Sequence, residues 1–217
     1  MEDLVAQIDT PRLDLVFITF FYRTNFTTPH LVEFISRTRR FEEPYEADFR
    51  FDFDAVEVQL SWPSDDYARL PLEISCEDIG LQFSSMTQAC TQYLPPFPTV
   101  ENLRVFTNYP HFELVEKDAY DVEIETNQWL GLLRPFSAVK SLYISKEFQP
   151  SIASTLQELV GGRTTEVLPS LQNIILAEFE PCGHFQEAIG HFLTARQLSG
   201  HPIAVFQDDD NGAYKRM

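Results

Sequence analysis

The constellation most able to do chemistry in this chain is Cys182-Gly183-His184 followed by His191. On a helix that spacing puts both imidazoles on one face, where they could share a zinc ion. A zinc site needs further convergent ligands, and Cys90, His201 or a distant carboxylate would have to complete it. The plainer reading makes His184 a cap at a helix start and His191 part of its polar side, so no metal is expected. Cys182 with His201 as nucleophile and base lacks a third orienting group and the glycines of a nucleophile elbow. Gly161-Gly162-Arg163 reads as a helix stop, and the chain has neither Gly-x-Gly-x-x-Gly nor a Gly-Lys-Ser/Thr phosphate loop. Asp208-Asp209-Asp210 has the composition of a calcium-binding run, but near the C-terminus a frayed acidic tail is the expectation. No catalytic, cofactor-binding or metal-binding residue is assigned. The chain reads as a non-enzymatic protein, with an α/β enzyme whose site escapes these patterns as the alternative.

Composition bounds the partners. Lys and Arg number 16 against 33 Asp and Glu, a formal charge of -17 that repels a phosphate backbone and steers the chain towards basic partners. Nucleic acid is not expected as a ligand. With 44% hydrophobic and 23% charged residues among 217, the expectation is one globular domain over residues 1–206. The acidic, then basic segment 207–217 is expected to be a disordered tail. No apolar run is long enough to cross a bilayer, and Met1-Glu2-Asp3-Leu4-Val5 is acidic where a leader would be basic. Three widely spaced cysteines fit reduced thiols, so an intracellular chain, cytoplasmic or nuclear, is expected.

The elements follow from periodicity. An apolar-x-x-apolar-x-apolar pattern recurs at Leu13-Val16-Ile18, Phe53-Val56-Val58, Cys76-Ile79-Leu81, Val100-Leu103-Val105, Val139-Leu142-Ile144 and Leu171-Ile174-Leu176. Each occurrence reads as a strand. Helical spacing marks His30 to Arg40, Ser85 to Tyr93, Gln128 to Leu133, Ser151 to Val160 and Phe185 to Gln197. Strands alternating with helices predict an α/β fold with parallel strands, because a parallel neighbour is reached only through a long return. Two segments break the rhythm. Arg40 to Leu60, with Phe49, Phe51 and Phe53 alternating with acids, predicts one two-sided strand, and the acidic stretch Pro110 to Thr126 predicts a long loop.

Phe97-Pro98-Thr99-Val100-Glu101-Asn102-Leu103-Arg104-Val105-Phe106-Thr107-Asn108 resembles a leucine-rich repeat, though the other five copies lack its asparagine. The stretches Asn127-Gln128-Trp129-Leu130, Phe136 to Lys146, Leu156 to Gly161, Val167 to Asn173 and Ala195 to Val205 are similar to the C-terminal halves of F-box-like proteins of mushroom-forming fungi. The resemblance implies an irregular leucine-rich-repeat solenoid, a parallel sheet with helices on one side, that recruits a substrate protein for a ubiquitin ligase. In that family an F-box docks a Skp-type adaptor. Only Leu70-Pro71-Leu72-Glu73-Ile74 matches the opening of that motif, and its continuation is missing. The residues between the apolar anchors, Glu57, Gln82, Arg104, Tyr143 and Ile175, are the candidate protein-binding face, since side chains alternate across a strand.

Overall fold

The computed structural model describes residues 18–21, 33–34, 43–62, 65–94, 97–107, 124–159, 163–177, 183–208 and 214–216. Among the described residues nine strands form one sheet: β1 (Ile18–Phe21), β2 (Glu46–Phe51), β3 (Ala55–Trp62), β4 (Asp65–Ser75), β5 (Asn102–Thr107), β6 (Ser141–Ile144), β7 (Asn173–Leu176), β8 (Ala204–Asp208) and β9 (Tyr214–Arg216). Their spatial order is β1-β4-β3-β2-β5-β6-β7-β8-β9. Four helices, α1 (Ile79–Gln88), α2 (Thr126–Leu133), α3 (Gln149–Gln157) and α4 (Gly183–Leu198), pack side by side in chain order. The fold is thus α/β with a mostly parallel, open sheet, as the alternating pattern predicts.

From β5 to β8 every neighbouring pair is parallel, and Leu103, Leu142 and Ile174 stand in register, as do Val105, Ile144 and Leu176. Each of these six side chains is buried. The first half corrects the expectation of one parallel sheet in chain order. Arg40 to Leu60 is not one strand: β2 and β3 form an antiparallel hairpin, β4 runs antiparallel to β3, and β1 returns to pair with β4. Phe53, expected as a core anchor, is 55% exposed at the hairpin turn, where Asp52 N–H donates to Ala55 O. Cys76-Ile79-Leu81 is not a strand either. Asp78 caps α1 by accepting from Leu81 N–H at 2.8 Å, so Ile79 and Leu81 are helical. Leu70 to Ile74 lies inside β4, whose described pairing with β1 runs from Leu72 to Ser75.

The core lies on one face of the sheet. Phe51 of β2 stacks on Phe83 of α1 at 4.3 Å, Phe83 meets Trp129 of α2 edge-on at 4.8 Å, and Trp129 meets Phe148 at 5.6 Å. Such pairs add about 0.5–1.5 kcal/mol each beyond their burial. Trp129 is fully buried and donates Nε1–H to Ser151 Oγ at 3.1 Å, so its polar end is satisfied. The two helices approach closely at Gly131, where a Cβ would stand 2.9 Å from Thr87 Cγ2. Glu125 and Gln128 form a capping box on α2, and Pro150 opens α3 in the first turn, ahead of the expected Ser151.

Arg196 of α4 is 0% exposed and donates to Thr164 O, Pro169 O and Leu171 O at 3.0, 3.3 and 2.9 Å. It clasps the segment leading into β7, in which Leu168 is held at φ 51°. A left-handed leucine persists only where its surroundings fix it. Burial lowers the Arg196 pKa, and three carbonyl acceptors take the place of a carboxylate.

Other expectations fall where little is described. The segment 207–217, expected as a disordered tail, holds the end of β8 and all of β9. Of His30 to Arg40, Glu33 and Phe34 are helical. Gly161-Gly162 and the acidic stretch up to residue 123 lie outside the described residues.

Candidate functional site

Strand register arranges the side chains that point away from the helices into two rows. One runs Ile175, Tyr143, Arg104, Asp48, Gln59 across β7, β6, β5, β2 and β3. The other runs Phe106, Arg50, Glu57, Glu73, Thr19 across β5, β2, β3, β4 and β1. Four of the five expected face residues, Glu57, Arg104, Tyr143 and Ile175, therefore share this face. Gln82 does not. It sits on α1, 1% exposed, and its Nε2 donates to Asp52 O at 2.9 Å and Cys76 O at 2.6 Å, tying the helix start to the hairpin turn. The assumption that it lay on a strand failed with the third repeat.

Arg104 is the hub. Its guanidinium lies 5.0 Å from the Tyr143 ring and 5.9 Å from the Phe106 ring, distances at which the cation is attracted to the ring faces. Its Nη1 is 3.9 Å from Glu46 Oε1 and its Nε is 3.9 Å from Asp48 Oδ1. Arg50 also stands over Phe106, at 5.4 Å, with Nη2 3.8 Å from Asp48 Oδ2. These contacts are ion pairs without hydrogen-bond geometry. Asp48 is 7% exposed, and its Oδ1 and Arg50 Nε are buried without a hydrogen-bond partner.

Burial raises the Asp48 carboxyl above its usual range, against the lowering pull of Arg104 and Arg50, with Glu46 and Glu57 adding repulsion. Burial also raises Glu57, opposed by Arg50 and reinforced by Glu73 and Asp52. Glu57 and Glu73 are direct partners across the β3–β4 ladder, and like charges so placed repel.

Asp48, Arg50, Glu73 and Phe106 were not singled out from the sequence. Phe106 was readable, because it is the next outward position after Arg104. The others needed the hairpin register.

The chemical candidates are not brought together among the described residues. Cys182 lies outside the described residues, and His191 Nδ1 stands 3.4 Å from Gln157 Nε2 on the exposed side of α4. Cys90 is buried, which pushes its thiol far up and leaves it unreactive. Among the described residues no three His, Cys, Asp or Glu side chains are placed to hold a metal ion, and no helix is long and apolar enough to cross a membrane. The face offers aromatic rings, guanidinium groups and carboxylates, groups suited to binding by contact and charge. No family model matches the chain, and no curated protein or solved structure matches it.

Proposed function

We propose that the chain is a non-enzymatic protein-interaction domain that holds a protein partner on the sheet face bearing Arg104. The observation that carries this reading is Arg104 held by the rings of Tyr143 and Phe106 on the sheet. Arginine and aromatic side chains are the residue types that dominate binding energy at protein interfaces. Parallel strands β5 to β8 in chain order, with an α-helix described between each pair, support the finer reading of an irregular leucine-rich-repeat region of the F-box-like kind. On that reading the domain recruits a substrate protein inside the cell, in cytoplasm or nucleus. A Skp-type adaptor belongs to it only with an F-box elsewhere, and the formal charge of -17 disfavours nucleic acid.

The test is affinity capture with three forms of the chain: unaltered, Tyr143→Ala with Arg104→Ala, and Glu187→Ala on the exposed side of α4. Proteins held by the first and third forms but lost from the second support the reading. Equal capture by all three overturns it.

A further inference from the structure

Residues 134–140 join α2 to β6, whereas residues 158–172 join α3 to β7, so the second return is much the longer. The returns into β5, β6 and β7 end on the same turn, in which Val100 N–H donates to Phe97 O, Val139 N–H to Phe136 O and Leu171 N–H to Leu168 O. Only in the third does the residue that opens the turn stand at positive φ, Leu168 at 51°. Pro169 follows it, and a residue before proline is driven towards extended backbone. Leu168 is therefore held from its preferred conformation twice over. Among the described residues, the backbone hydrogen bonds of 163–171 are internal to it: Glu166 N–H to Arg163 O and Leu171 N–H to Leu168 O. Side chains tie the segment to its neighbours. Thr164 Oγ1 lies 3.5 Å from Ser199 Oγ, a long contact, and Glu166 accepts at 3.0 Å from Arg134, an exposed pair that water weakens. Arg196 is the strong tie, because its buried fork reaches Thr164 O, Pro169 O and Leu171 O at once.

We infer that residues 163–171 form a latched strap that opens as a unit while the sheet stays folded, with Arg196 as the latch and the twist at Leu168 pulling towards the open form. Opening lets Leu168 leave the left-handed region and returns the Arg196 guanidinium to water. Two terms hold the strap shut: the three carbonyl contacts of Arg196, and the burial of Val167, Leu168 and Leu171. The turns into β5 and β6 have no positive-φ residue, so the pull belongs to the third return alone. The open form bares the apolar surface that those three side chains cover, next to α4 and the start of β7. The device is independent of the docking face.

The experiment is amide hydrogen exchange of the full chain, followed residue by residue by NMR in graded urea. The Glu166 and Leu171 amides report the strap, and the Ser141 and Asn173 amides, which donate to Glu101 O and Lys140 O, report the sheet. In the unaltered chain the strap amides, corrected for intrinsic rates, are expected to exchange at least about tenfold faster than the sheet amides and to depend less on urea, the mark of a local opening. Equal protection with equal urea dependence would make the segment part of the global unit and overturn the strap. Arg196→Lys keeps the charge but replaces the fork with a compact ammonium. It is expected to speed the strap and sheet amides by the same factor, about tenfold or more, because the latch contacts are lost in local opening and in full unfolding alike. Acceleration of the sheet amides alone would show that Arg196 stays bound when the segment opens, and would overturn the latch, as would no acceleration of either. If the lysine variant does not fold, the urea comparison on the unaltered chain still decides whether the strap opens by itself.

Discussion

Strands β5 to β8 and strands β1 to β4 share one sheet and one aromatic core, yet only the first set follows the chain. In the first set each strand is the neighbour of the next, and among the described residues each return contains an α-helix. In the second, a hairpin and an antiparallel third strand occupy the middle, and β1 pairs across to β4. A parallel step needs a dozen or more residues and a helix, so it leaves a long periodic signature; a hairpin needs only a turn. The comparison shows that the same apolar spacing can sit on an inward strand, on a turn or on a helix start. What separates these outcomes is the hydrogen bonding of the polar residues between.

The largest effect expected is from Leu142→Asp in the regular half. A carboxylate there has no partner in the stacked core and costs several kcal/mol, about the whole margin of stability. Loss of the cooperative circular-dichroism melt is the expected outcome, and its survival would show the position to be exposed. Phe51→Ala in the hairpin half removes the ring that stacks on Phe83, at a cost of about 3–5 kcal/mol. Because the two halves share their core, the denaturation curve is expected to move as one transition; a second, earlier transition would separate them into independent units.

Asp78→Ala removes the cap that turns the third apolar triplet into a helix, and is expected to cost about 1 kcal/mol by denaturant titration. No change would mean that α1 is set by packing alone. The smallest effect is a gain. Glu57→Gln removes a charge opposite Glu73 and is expected to stabilise by about 0.5 kcal/mol at pH 7. The sign follows from linkage: the Glu57 carboxyl is raised in the folded state, so the native protein binds its proton before the unfolded chain does. The wild type therefore gains stability as pH falls through the raised value towards the ordinary one, and below about pH 4 the difference from the glutamine variant closes. Melting curves at the two pH values that show a constant difference would assign the effect to packing.

Much of the regular half was legible because its signals agree. Pro98 and Pro169 stand ahead of β5 and β7, Val100, Val139 and Leu171 fill the core before each strand, and helices with a 3.6-residue period lie between. Arg104, Tyr143 and Ile175 then follow from alternation. The irregular half was misread because Phe49, Phe51 and Phe53 continue one alternation through a turn that Asp52 closes. The signal for the third triplet was present in Asp78, a favoured N-cap placed directly before Ile79. Gln82 was carried to the wrong surface by that one assignment. The placing of Glu57 between Arg50 and Glu73 depends on long-range register, which no local pattern encodes.

The return of β1 to β4 has a consequence for the order in which the chain can be assembled. The hydrogen bond from Thr19 to Glu73 spans 54 residues, whereas Lys140 to Glu101 spans 39 and Asn173 to Ser141 spans 32. Closing the longer loop costs only about 0.5 kcal/mol more than the shortest, so equilibrium stability hardly registers the difference. Synthesis does. At a ribosomal pace of roughly 5–20 residues per second, the residues of β1 exist for several seconds before β4 has been made. Until then this apolar strand lacks the one sheet partner it has among the described residues, and an unpaired apolar edge invites pairing with another chain.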